Sequence, residues 1–267
     1  MRCEWVTEPR SDGHPNDDYA ATAAPAPGRG GTVVLLDGVS TRPGESTGCG
    51  HGTPWYTARL GGALLHRCGS RPDLPLTECL VQAIDETARG HGDGCELSHP
   101  RTPQATVVAA RWDATAVEYL VLCDSVLLIQ RTDGRVLPVL DTRLDEVWAA
   151  ARTAVPYGER AAFIEARRNA EDGFFTAAAD PSVAHRAVTG TLPRAGVRAL
   201  AALTDGASRW TEVFRLGDWE ALFAVLAEKG PREVIAQVRA AERADPSCTA
   251  FPRGKIHDDA TAALAEL

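Results

Sequence analysis

No stretch of this chain approaches the roughly 20 consecutive apolar residues that a membrane-spanning helix requires. Its apolar segments are short and interrupted by Arg, Asp or Glu. The opening Met1-Arg2-Cys3-Glu4-Trp5 lacks the apolar core of a secretory signal. Together these absences predict a cytoplasmic protein with no membrane partner. A basic patch is missing as well: 28 Lys and Arg are dispersed among 36 Asp and Glu, for a formal net charge of −8. A nucleic-acid surface concentrates positive charge on one face, so no nucleic-acid partner is expected. The acidic balance speaks to solubility rather than to fold. Cys-x-x-Cys spacing is also absent, and the seven cysteines (Cys3, Cys49, Cys68, Cys79, Cys95, Cys123 and Cys248) are odd in number. This argues against a zinc knuckle and against a secreted disulfide framework. Reduced thiols are expected, several of them buried like small apolar residues. No internal repeat of fixed period is visible.

What is present suits one large domain or two small ones: 267 residues, 44% of them hydrophobic. Residues 3–7 read as an edge strand, and the Ala/Pro/Gly stretch 20–31 reads as a loop or linker. The first strong strand is 32–36. A Gly/Ser/Thr-rich loop runs to residue 53, then helices are predicted over 54–68 and 76–89, where Leu60, Leu64 and Leu65, then Leu80, Ala83 and Ile84, recur at helical spacing. Pro54 suits a first helical turn. A Gly/His/Asp-rich loop over 90–100 precedes strands at 105–111, 117–123, 126–131 and 136–140. The turns at 112–114 and 132–134 suggest an antiparallel meander. Helices near 144–154 and 157–170, strands at 184–191 and 197–203, and helices near 210–214, 218–229 and 231–243 follow. Residues 260–265 close the chain as a short strand or helix. Strands and helices alternate in blocks rather than as single βαβ units, which indicates an α+β fold with mainly antiparallel sheets.

Four acidic motifs end apolar runs or lie beside them: Val33-Val34-Leu35-Leu36-Asp37-Gly38, Leu120-Val121-Leu122-Cys123-Asp124-Ser125, Leu200-Ala201-Ala202-Leu203-Thr204-Asp205-Gly206 and His257-Asp258-Asp259-Ala260-Thr261. Apolar Val/Leu runs read as buried strands. An Asp at the end of each sits where the sheet meets solvent, and adjacent strand ends converge their carboxylates. Like charges gathered at one place repel and call for a cation. Oxygen-only donors suit hard ions such as Mg²⁺ and Mn²⁺.

In this order and spacing the four motifs resemble the metal-dependent Ser/Thr protein phosphatases of the PP2C (PPM) family, from about residue 16 to 264. The resemblance implies a four-layer α-β-β-α sandwich of two antiparallel sheets flanked by helices, formed by residues 1–267 as one domain. It also implies a centre of two Mn²⁺ or Mg²⁺ ions, with a third, weaker ion. Asp37 matches the bridging aspartate, and the Gly38 carbonyl would bind one ion. Asp205 and Asp258 would complete the protein ligands of the second, and Asp124 matches the ligand of the third. Asp18, in Asn16-Asp17-Asp18, resembles the acidic residue that holds metal-associated water. Water shared by two such ions deprotonates near neutral pH and becomes the nucleophile of an in-line displacement. The substrate implied is phosphoserine or phosphothreonine in a protein.

The sequence departs from the family pattern in three places. The phosphate-gripping Arg before the acidic pair is offset, leaving Arg10 or His14 as candidates. The motif Asp37-Gly38-Val39-Ser40 lacks the His seen in animal members, although bacterial members commonly lack it too, and His51 is a candidate acid. Cys123 replaces the Gly of Gly-Asp-Ser-Arg, where Gly allows close approach, and reads as a buried thiol. His257 is expected to be structural, Asp259 to serve a turn or helix start, and Asp133 and Asp172 to be hairpin and loop residues. Residues 169–183 fall where the family carries a flap, and composition suggests a small mobile loop. Two further functions stay open: a catalytically weak binding or regulatory module, and a phosphatase of a small phosphorylated metabolite. Oligomeric state is left open.

Overall fold

Antiparallel strands that are apolar on both sides need cover on both sides, and this requirement organises the chain. The computed structural model describes residues 2–25, 30–41 and 44–267. In chain order the strands are β1 (Arg2–Glu8), β2 (Tyr19–Ala23), β3 (Gly31–Leu36), β4 (Val107–Trp112), β5 (Ala116–Leu122), β6 (Val126–Arg131), β7 (Val136–Val139), β8 (Val188–Pro193), β9 (Val197–Leu203) and β10 (Ala260–Glu266). The helices are α1 (Thr53–Ser70), α2 (Leu76–Gly90), α3 (Arg143–Ala154), α4 (Arg160–Glu165), α5 (Asp205–Glu212), α6 (Trp219–Lys229) and α7 (Pro231–Ala244). Two five-stranded antiparallel sheets result, with strand orders β2-β3-β4-β5-β8 and β1-β10-β9-β6-β7.

The period of two along a strand separates the layers. In β3, Val33 and Leu35 face the second sheet and pack with Leu127, Ile129 and Ala263. Val34 and Leu36 point the other way, into a core with Leu60, Leu64, Leu80 and Ile84 of α1 and α2. The second sheet mirrors this arrangement: Leu128, Ala201 and Leu264 pack against Trp210, Phe223, Val234 and Val238 of α5, α6 and α7. The outcome is the α-β-β-α sandwich. A smaller core of Cys123, Val147, Ala151, Ile164 and Phe174 lies under α3 and α4. No helix among the described residues is long and apolar enough to cross a membrane.

Several expectations are corrected. Strands β4 to β7 are not one meander: β5 pairs with β4 and β8, whereas β6 pairs with β7 and β9 in the other sheet. The chain changes sheets at Cys123-Asp124-Ser125, and Cys123 takes a left-handed backbone (φ 68) to do so. Within 20–31, β2 forms an edge strand on β3, because register with a buried neighbour outweighs weak local β preference; residues 26–29 lie outside the described residues. Residues 42 and 43 of the loop after β3 do as well. Helix 157–170 shrinks to α4 preceded by a single 3₁₀ turn at Tyr157–Glu159. Residues Pro181–Arg186 form a 3₁₀ helix, so the next strand starts later, at Val188. The helix placed at 210–214 begins earlier, at Asp205. The 169–183 segment is packed rather than loose: Phe174 is 1% exposed, and Ala177 bridges to Ala105.

Candidate functional site

The sheet change at residues 123–125 sets the site, because it brings the ends of strands from both sheets to one edge. Asp37 follows β3, Asp18 precedes β2, and Asp124 lies between β5 and β6. Asp205 opens α5 directly after β9, and Asp258 precedes β10. The backbone N–H of Asp205, at the positive end of α5, donates to Asp37 Oδ2 at 3.3 Å, joining positions 168 residues apart in sequence. The Asp37 N–H donates to Thr106 Oγ1 (3.3 Å), which in turn pairs with Ser125 Oγ (2.5 Å). These bonds tie the ends of β3 and β9 to the sheet crossing.

Each carboxylate is held differently. Asp18 Oδ2 accepts from Thr261 Oγ1 (2.7 Å) and Thr204 Oγ1 (3.1 Å). Its Oδ1 is buried and has no protein partner. Asp258 Oδ2 accepts from Arg209 (2.9 Å) and its Oδ1 from Lys255 Nζ (2.8 Å). Arg209 is itself clamped to Glu242 (2.9 Å). Two glycines permit the close approach. A Cβ on Gly38 would lie 2.4 Å from the Asp17 carbonyl oxygen, and one on Gly206 would lie 2.0 Å from the Asp259 carbonyl oxygen.

The electrostatics follow from this gathering. Burial pushes Asp37 well above the usual carboxylate range, and the charges of Asp205, Asp18, Asp124 and Asp258 push it further. Asp18 is raised well above its ordinary value, by burial first and then by Asp259 and Asp205, against the opposing Thr261 and Thr204 hydroxyls. Asp124 is pushed up to about 7 by burial and then by Asp205. Asp258 reaches about 6, with burial and Asp205 outweighing Lys255 and Arg209. A group of carboxylates that resist ionisation together, one with an unpartnered buried oxygen, fits a hard divalent cation with oxygen ligands.

Arg10 and His14 also reach the site, and they touch each other through Arg10 Nη2 and His14 Nε2. Arg10 Nη1 donates to Ser40 Oγ at 2.6 Å and its guanidinium lies 3.9 Å from Asp17. Asp259 serves neither a turn nor a helix start. Its two oxygens accept the backbone N–H groups of Arg10 (2.7 Å) and Asp17 (3.1 Å), pinning the N-terminal segment to β10. The ring of His51 is engaged elsewhere: it stacks on Trp55 and contacts Cys49 and Cys95. His257 pairs with Glu242 (2.7 Å), a structural role. Asp133 accepts from the Arg135 N–H in its hairpin, and Asp172 is an exposed partner of Arg167. Cys123 is buried, its thiol raised by that burial, and its N–H donates to Asp141 (2.8 Å).

Three residues at the site escaped the sequence reading. Lys255 reaches both Asp258 and Ser40 Oγ (3.3 Å). Arg209 lies four positions into α5 from Asp205 and holds Asp258. Glu212, pushed up to about 7 by burial, accepts from Ser208 Oγ on the same helix. The i, i+4 and i, i+7 spacings of Asp205, Arg209 and Glu212 place them on one helical face. That was the available signal.

A family model described as protein phosphatase 2C matches residues 7–239. No curated protein sequence matches the chain. Among solved structures, the serine/threonine phosphatase Stp1 from Staphylococcus aureus aligns with a TM-score of 0.62 at 10% identity, over 100% of this chain and 95% of its own. The catalytic domain of the serine threonine protein phosphatase PstP, in complex with 2 manganese ions, gives 0.59 at 16% identity, over 99% and 97%. Serine-threonine phosphatase 2C from Toxoplasma gondii gives 0.57 at 13% identity, over 98% and 93%. At these identities the likeness to the solved structures is one of fold.

Proposed function

This chain belongs to the protein phosphatase 2C family, and on that premise we propose that it hydrolyses phosphoserine and phosphothreonine in proteins, with its described residues acting as one catalytic domain. The observation that carries the reading is the junction of Asp205 N–H with Asp37 Oδ2 inside a group of five carboxylates drawn from both sheets. Asp37, the Gly38 carbonyl, Asp205 and Asp258 would hold two Mn²⁺ or Mg²⁺ ions, and Asp124 a weaker third. Once bound, the ions would supply Lewis acidity toward the phosphoryl group and a nucleophilic water at neutral pH.

The chain's own residues account for the remaining steps. Asp18, whose Oδ1 has no protein partner, would hold and orient the attacking water. Arg10 and Lys255 converge on Ser40 Oγ. Together they form a cationic rim beside the acidic group, suited to binding and orienting phosphoryl oxygens. His14 and Asp17 hold Arg10 in that orientation. As the water oxygen bonds to phosphorus, the P–O bond to the serine or threonine breaks, and that oxygen takes up a proton from solvent in exchange for the one the water gives up. Neither a cysteine nor a serine nucleophile is needed.

The test is turnover of a phosphopeptide and of p-nitrophenyl phosphate with Mn²⁺, beside Asp37→Ala and Asp205→Ala. Turnover should fall by several orders of magnitude in both variants. Retention of most activity by Asp37→Ala removes its ligand role. A folded wild type with no turnover under any divalent metal favours the binding module. Preference for a small phosphorylated metabolite over phosphopeptides favours the third reading.

A further inference from the structure

Away from the acidic group, two loops bring together a second set of metal-competent side chains with different donors. Cys49 and His51 precede α1, and His91 and Cys95 follow α2. Their four ligand atoms all lie within 4.8 Å of one another. Cys49 Sγ is 3.3 Å from Cys95 Sγ, 3.3 Å from His91 Nδ1 and 3.5 Å from His51 Nδ1. Cys95 Sγ is 3.3 Å from His51 Nδ1. A tetrahedral zinc ion with bonds of roughly 2.3 Å to sulfur and 2.0–2.1 Å to nitrogen needs ligand–ligand edges of roughly 3.3–3.8 Å. Three sulfur–nitrogen edges, at 3.3–3.5 Å, lie within about 0.3 Å of that requirement, and the sulfur–sulfur edge, at 3.3 Å, would open by roughly 0.4 Å around the ion.

The surroundings are prepared for the same role. The His51 N–H donates to Cys49 Sγ at 3.3 Å, which fixes the position of that sulfur. Trp55 stacks on His51 (centroids 4.1 Å apart) and meets His91 edge-on (4.6 Å), fixing both imidazoles with Nδ1 inward. His91 is buried at 5% exposure. The two loops are already stitched together by the Glu96 N–H donating to the Gly48 carbonyl (2.7 Å).

We propose that Cys49, His51, His91 and Cys95 form a structural zinc site. Two thiolates and two imidazoles select zinc, whereas the all-oxygen acidic group selects harder ions. With four protein ligands the site has no open position for a reacting water, so it is structural. It clasps the loop after α2 to the loop between β3 and α1. The latter loop leads into Thr53, whose Oγ1 donates to the Val39 carbonyl beside Gly38 (3.3 Å), so the clasp lies next to the acidic group. The pairings are Cys-x-His and His-x₃-Cys, neither of them a Cys-x-x-Cys knuckle.

The test is metal content, which needs no turnover and so stands apart from the phosphatase reading. The full chain is purified under reducing conditions without added metal, and its zinc is counted by mass spectrometry. One zinc per chain is expected, retained in Asp37→Asn and lost in Cys95→Ser and in His91→Asn. Replacement by Co²⁺ in the wild type should give thiolate-to-cobalt charge-transfer absorption, and X-ray absorption should show two sulfur and two nitrogen neighbours. The wild-type spectra keep the test decisive if a variant fails to fold. A folded, reduced wild type that binds neither zinc nor cobalt through sulfur overturns the proposal. So does zinc that leaves with Asp37→Asn but stays in Cys95→Ser, or a Cys49–Cys95 disulfide in place of metal.

Discussion

Asp124→Asn removes one negative charge from the acidic group while keeping the shape of the side chain. The Asp124 carboxyl is pushed up to about 7, by burial first and by Asp205 next, whereas an unfolded aspartate titrates near 3.9. Between those values the folded protein binds the extra proton. Stability of the cation-free protein therefore falls as pH rises through that window and levels off above it. A gap of about three units at about 1.4 kcal/mol per unit sets a ceiling of about 4 kcal/mol. The neighbouring carboxylates titrate with Asp124 and absorb part of this, which leaves about 2 kcal/mol for the single substitution. In EDTA at pH 8 the variant should thus unfold about 4–8 °C higher than wild type in a thermal scan. At pH 5 the gain should shrink to less than half, because wild-type Asp124 is then already protonated in the folded state. Added Mn²⁺ should raise the wild-type midpoint more than that of the variant. A gain that is absent at pH 8, or equal at both pH values, would refute the argument that like charge is stored at this position.

Other outcomes can be stated more briefly. Loss of turnover in Asp37→Ala and Asp205→Ala tests the ligand assignments directly. Arg10→Ala and Lys255→Ala should each raise KM for a phosphopeptide by about tenfold, the loss of one charge-assisted hydrogen bond, with a smaller change in kcat; steady-state kinetics at saturating Mn²⁺ decide this. Gly206→Ala places a Cβ 2.0 Å from the Asp259 carbonyl oxygen and should cost about 1–3 kcal/mol in a urea titration. Mn²⁺ affinity, measured by calorimetry, should weaken as pH falls from 7.5 to 5.5, because Asp124 (about 7) and Asp258 (about 6) take up protons there. An unchanged affinity across that range contradicts their role as ligands.

Much of the sandwich was legible because its strands are long apolar runs. Both faces of β3 are buried, so Val33-Val34-Leu35-Leu36 reads as a strand without any alternation. Asp37, Asp124 and Asp205 were legible because each follows or interrupts such a run, and Asp258 because it lies just before one. Strand pairing was harder to read. The β5–β6 turn has the length of a hairpin, but the left-handed Cys123 redirects the chain into the other sheet, and nothing local in Leu-Cys-Asp-Ser announces it. Strand β2 was missed because Tyr-Ala-Ala-Thr-Ala draws its order from pairing with β3 rather than from its own composition. Lys255 lies in an irregular segment, Pro252 to His257, whose path is set by contacts distant in sequence: Arg253 with Asp245, His257 with Glu242 and the adjoining Asp258 with Arg209. The Cys/His group was invisible to spacing rules because half of it comes from each of two loops separated by α1 and α2.

The carboxylates of the acidic group are shared between sheets whose facing layers are packed by apolar side chains such as Val33, Leu127 and Ala263. Cation binding therefore acts as a gauge of how those two layers are aligned. Leu127→Ala, remote from any ligand, should loosen Mn²⁺ binding at temperatures where the molecule is still folded, since a small slide between the layers parts Asp37 from Asp205 before either sheet comes apart.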